Sequence, residues 1–128
     1  VTNILSINVG WGSGNGFTDL TGNVTGIHIH DAGSANFSDN GGVEINLGSS
    51  SDFTFNNRAT NGTLIGATTL SDAQEIELLN GQYYLNVHTA TNGTGEIRGN
   101  FVAVPEPTSA GLACFALLGS VLVRRRRA

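Results

Sequence analysis

The sequence predicts an all-β domain, an antiparallel sandwich or barrel with one short helix, followed by a single C-terminal transmembrane helix. Three observations carry this. Residues 1–103 break into short apolar–polar alternations separated by Gly, Asn and Ser clusters, the pattern of many short strands joined by turns. The composition agrees: 18 Gly, 14 Asn, 13 Thr and 10 Ser, no Lys and no Met, and only 12% charged residues, about half the usual share. That excludes a coiled coil or a helical bundle. Finally, a pair of prolines near the end is followed by sixteen residues without a charge.

The elements follow in order. Ile4, Leu5, Ile7 and Val9 form the first apolar run, closed by the glycine-rich stretch from Gly10 to Gly16. Val24 to His30 reads VTGIHIH, with Ile27 and Ile29 on one face. Val43, Ile45 and Leu47 alternate with Glu44 and Asn46, and Phe53 and Phe55 flank Thr54. Thr63 to Leu70 is a further candidate strand. Ser71-Asp72-Ala73-Gln74 has capping-box spacing, so Asp72 to Asn80 reads as a short helix or turn stopped by Gly81. Tyr83, Leu85 and Val87 alternate with Tyr84, Asn86 and His88, and Glu96 to Ala103 is the last strand.

With 128 residues there is room for one domain. The first residue is Val1 rather than Met, as expected of a processed chain or a fragment, and the lone Cys114 builds no disulfide framework. Charge is unevenly spread. Residues 1–103 hold two arginines, Arg58 and Arg98, against nine acids, a net charge of −7. Such a body is repelled by phosphate backbones, so nucleic acid is excluded as a partner.

The chain has three histidines. His28 and His30 lie two apart on one strand and therefore share a face. His88 sits on the side of its strand opposite Tyr83, Leu85 and Val87. If the apolar residues take the core face, all three imidazoles lie on the outer face, and they converge if the two strands are neighbours. Imidazole suits copper, zinc, nickel and iron. The competing expectation is three polar positions on a half-exposed sheet, hydrogen-bonded to nearby loops. Asp31, Asp39 and Glu44 are candidate further ligands or partners of the ligands. Asp31 to Glu44 is rich in Asp, Asn and Gly but lacks EF-hand spacing, so an ordinary long loop is expected. Asn23, Asn36, Asn61 and Asn92 each begin an N-x-S/T sequon, as chance provides in so Asn- and Thr-rich a chain. No recognisable nucleophile motif or phosphate loop is present.

The tail divides at residue 104. Val104-Pro105-Glu106-Pro107 is a punctuated linker, because prolines two apart continue neither a strand nor a helix interior. Residues 108–123 are apolar on all faces and Arg124, Arg125, Arg126 and Arg127 follow. Sixteen residues fall short of the roughly 20 that span a bilayer, a gap that local thinning and snorkelling arginines cover. The positive-inside rule places the arginines in the cytoplasm and residues 1–103 outside. The VPEP motif, apolar helix and basic end together resemble the PEP-CTERM sorting signal of Gram-negative bacteria. The resemblance implies a temporary inner-membrane anchor that an exosortase recognises and cleaves, releasing the body to the cell surface or the exopolysaccharide matrix.

The body carries a second resemblance. GIHIHDAG, VEINL, SDAQEIELLNGQYYLNVHT and GTGEIRGNF, in this order over residues 24–101, resemble the CHRD domain. That family usually begins with further strands, and only 23 residues precede Val24 here, so a domain shortened at its N-terminus is expected. A fainter likeness reaches copper/zinc superoxide dismutase, whose barrel uses an H-x-H strand and a later V-H for copper. His28, His30 and His88 fall into that pattern, but a bridging histidine, the zinc-site histidines and a disulfide are missing. The resemblances imply an immunoglobulin-like or superoxide-dismutase-like sandwich. They imply a non-enzymatic exported module that binds exopolysaccharide or surface proteins. The alternative is a copper- or zinc-binding module through the three histidines, with at most weak superoxide chemistry.

Overall fold

A computed structural model describes residues 3–104. Alternation of apolar and polar residues produces seven strands: β1 (Ile4–Trp11), β2 (Val24–Asp31), β3 (Gly42–Asn46), β4 (Phe53–Phe55), β5 (Gly62–Thr69), β6 (Tyr83–Thr89) and β7 (Ile97–Asn100). One helix, α1 (Asp72–Leu79), lies between β5 and β6. Its start is the capping box read from the sequence: Gln74 N donates to Ser71 Oγ at 3.2 Å and Ser71 N to Gln74 Oε1 at 2.9 Å. Gly81, at φ 75°, turns the chain back into β6, a conformation that L side chains rarely adopt.

The strands form two antiparallel sheets, ordered β1-β5-β4 and β3-β2-β6-β7. They pack face to face. Ile7, Trp11, Phe53 and Leu64 come from the first sheet, and Ile27, Ile29, Tyr83, Leu85 and Val87 from the second, all in one buried cluster. Trp11 is buried without a polar penalty, because its indole N–H donates to the Ala59 carbonyl at 3.1 Å.

The second sheet departs from the expected half-exposed surface. In β6 the core-facing Tyr83, Leu85 and Val87 are buried, and so are Tyr84 and Asn86 on the opposite face. Two loops lie over that face. The loop ending at Gly41 reaches His30 and Tyr84, and the turn between β6 and β7 reaches Asn86 and His88. The outer face is therefore a second interior.

The β6–β7 turn is held by Glu96. Its carboxylate accepts from Thr89 Oγ1 at 2.6 Å, Thr21 N at 2.7 Å, Thr21 Oγ1 at 2.9 Å and Asn92 Nδ2 at 3.1 Å. The Thr89 hydroxyl first, then the Thr21 amide, favours the charged form and lowers its pKa from 4.5 to about 2. A depressed acid stabilises the fold fully above its unfolded value, and loses that contribution as pH falls toward its folded value. The difference in melting temperature between the wild type and Glu96→Gln should thus be constant above about pH 4.5 and shrink toward zero near pH 2. A difference that does not change with pH would show that the carboxylate is not anchored this way.

Among the described residues no helix is long and apolar enough to cross a membrane. The expected helix at 108–123, Pro105, Glu106 and Pro107 of the linker, and Arg124 to Arg127 all lie outside the described residues. Val104, the last described residue, is exposed.

Candidate metal centre

Strand register brings the histidines together. β2 and β6 are antiparallel neighbours in which His28 pairs with Asn86, His30 with Tyr84, and Gly26 with His88. His88 is thus diagonal to His28, and a shift in the ladder between Val24 and Gly26 adjusts the approach. Gly26 leaves space where a side chain would stand: a Cβ there would come within 3.1 Å of the His28 ring. Ring centroids lie 4.7 Å apart for His28–His88, 5.7 Å for His30–His88 and 5.8 Å for His28–His30.

One nitrogen from each ring lies within 4.8 Å of the other two. The outer nitrogens are fixed by backbone carbonyls, with His30 Nδ1 3.0 Å from Gly41 O and His88 Nδ1 3.0 Å from Gly93 O. A carbonyl only accepts, so each Nδ1 carries the proton and each Nε2 keeps its lone pair. His28 is turned the other way and leaves Nδ1 free. Among the described residues, the buried side-chain polar atoms without a hydrogen-bond partner are His28 Nδ1, His30 Nε2 and His88 Nε2. Buried polar atoms are nearly always satisfied. Three unpartnered nitrogens on rings whose candidate donor atoms lie this close together fit a shared cation, and a carbonyl behind a ligand imidazole is a common way to orient such a ring.

The electrostatics favour the neutral, ligand form of His28. Burial, then the neighbouring His88 and His30, lowers the pKa of His28 from its ordinary value of 6.5. All three imidazoles lie on the outer face of their sheet, where the two loops cover them: His30 is buried at 8% exposure and His28 and His88 are half-buried.

The acids expected beside the histidines are engaged elsewhere. Asp31 Oδ1 accepts from Gly33 N, Asp39 from Ser34 Oγ and Asn36 Nδ2, and Glu44 from Gln74 Nε2. None of them joins the three imidazoles as a possible ligand. Residues that sequence reasoning gave no role take their place. Tyr84 stacks on His30 at 4.9 Å and 12°, and the Arg98 guanidinium sits 3.6 Å above the centre of the Tyr84 ring. Asn86 Nδ2 donates to Thr94 O at 3.2 Å and holds the second loop down. Their signal in the sequence was position: Tyr84 and Asn86 share the face of His88.

Fold and site together define a two-sheet β-sandwich module with a histidine cluster enclosed on the outer face of one sheet. The chain belongs to the CHRD-domain family, whose domain matches residues 3–101. A PEP-CTERM protein-sorting motif matches residues 103–127 directly after it. No curated protein and no solved structure matches the chain. The sorting motif implies recognition by an exosortase in the membrane and an extracellular destination.

Proposed function

We propose that this protein is a non-enzymatic, exported module that holds one transition-metal ion, copper or zinc, at His28, His30 and His88, and that exosortase cleavage sets it free at the cell surface or in the exopolysaccharide matrix. The metal reading is supported by one observation, the three buried, unpartnered imidazole nitrogens on rings whose candidate donor atoms lie within 4.8 Å of one another. Three neutral nitrogen donors suit these ions. Exopolysaccharide and surface proteins are the proposed partners of the released body. Its first sheet supports this by presenting exposed Ser6, Asn8 and Thr69, hydrogen-bonding groups without charge.

Titration of the full chain with copper(II) and with zinc(II), with thermal melts alongside, tests the metal reading. Binding of one ion per chain with a raised melting temperature is expected. A folded protein that binds neither ion would leave a purely adhesive or matrix role. For sorting, Glu106→Gln is expected to leave the full-length chain in the inner membrane, as fractionation and immunoblotting would show. Unchanged release would remove the exosortase step.

A further inference from the structure

The donor set distinguishes one ion from its rivals, an inference that rests on the metal reading above. The three candidate donors are neutral imidazoles with buried free nitrogens, and the nearby carboxylates are committed to other partners. Zinc on three protein ligands needs water or another group as its fourth, and copper(II) prefers a tetragonal nitrogen and oxygen set. Both also bring two positive charges into a site with no negative donor. Copper(I) has a filled d shell and a single charge, accepts three donors in a trigonal arrangement, and gives up less hydration on burial.

The surroundings push the same way. The Arg98 guanidinium lies against Tyr84, and Tyr84 lies against His30. That guanidinium donates to Asp39 O at 2.7 Å, Asn40 Oδ1 at 3.0 Å and Asn100 Oδ1 at 3.1 Å, three uncharged oxygens. It is hydrogen-bonded without being neutralised. A positive charge held behind a ligand, in a site partly shielded from water, opposes a doubly charged ion more than a singly charged one. Two of these bonds, to Asp39 and Asn40, also pin the loop that brings the Gly41 carbonyl to His30.

We propose that the His28–His30–His88 site is a cuprous site, taking copper(I) in preference to copper(II) and zinc(II), and that the charge of Arg98, stacked on Tyr84, sets this preference. Arg98 acts through Tyr84 and the loop, and touches none of the three imidazoles itself.

The test uses the full chain in mild detergent, as wild type, Arg98→Gln and Arg98→Lys. Copper(I) affinity is read anaerobically by competition with bicinchoninate, and copper(II) and zinc(II) affinities by competition with chromophoric chelators. The wild type is expected to hold copper(I) more tightly than either rival. Arg98→Gln should lower the ratio of copper(I) to copper(II) affinity about tenfold, which is a one-electron potential lower by about 59 mV. Arg98→Lys keeps the charge and should keep most of the ratio. A wild type that holds copper(II) or zinc(II) as tightly as copper(I) overturns the proposal. So does an equal loss of all affinities in both variants, which would reduce Arg98 to a loop clamp. Failure of a folded wild type to bind any of the three ions would instead remove the metal reading beneath it.

Discussion

Converting His88 to alanine is expected to cost more than about 100-fold in metal affinity while the domain stays folded. Removing a partner of a ligand typically costs 10–100-fold, and here a donor itself is lost from a set of three. The change to the metal-free protein is small by comparison. The bond from His88 Nδ1 to Gly93 O disappears, worth about 1 kcal/mol, and an unsatisfied buried nitrogen disappears with it. Melting experiments separate the two effects. At a metal concentration about 100 times the dissociation constant the wild type gains about 2.7 kcal/mol. For a domain of this size that is a rise on the order of 10 °C. His88→Ala should show almost none of that rise at the same concentration, yet melt within a few degrees of the metal-free wild type. An unaltered metal-induced rise in the variant would place any bound ion elsewhere.

Gly41→Ala is expected to damage fold and site together, and Gly42→Ala to do neither. A Cβ on Gly41 would run into the carbonyl of Asp31, a backbone atom with no rotamer to escape by. The loop must lift, at a cost of about 2–4 kcal/mol by comparison with other overpacked positions. Lifting it also withdraws the carbonyl that fixes the His30 tautomer, and the N–H that donates to the Tyr84 hydroxyl at 3.2 Å. Metal affinity should then fall by a further 10–100-fold. Gly42 has nothing within 4 Å of the same added atom, so its alanine variant should stay within about 0.5 kcal/mol of wild type. Urea unfolding of the two variants reads the difference directly, and equal stabilities would contradict the close packing of this loop.

Much of the strand pattern was legible because it is local. The alternation in Ile4 to Val9, Val43 to Leu47 and Tyr83 to His88 marks strands without reference to the rest of the chain, and Ser71 and Gln74 announce the helix within four residues. The grouping of the histidines was half legible. Spacing puts His28 and His30 on one face, but their meeting with His88 depends on β2 and β6 being neighbours, a pairing across some sixty residues. What covers the site was not legible at all. His30 is buried because Gly41 and Tyr84 meet over it, and Arg98 clamps that loop from 59 residues away. A loop rich in Gly, Asn and Ser carries no periodicity, so its resting place is decided by such distant contacts. The acids misled for the same reason. Asp31 and Asp39 look like ligands in sequence, but short-range bonds to Gly33, Ser34 and Asn36 use them to shape the loop itself.

X-ray absorption at the metal edge of the loaded full-length protein reads the three-histidine site itself. The expected spectrum shows a coordination sphere dominated by three imidazole nitrogens near 2.0 Å, with the multiple-scattering pattern of histidine rings. A shell made mainly of oxygen, or one unchanged in His30→Ala, would contradict it.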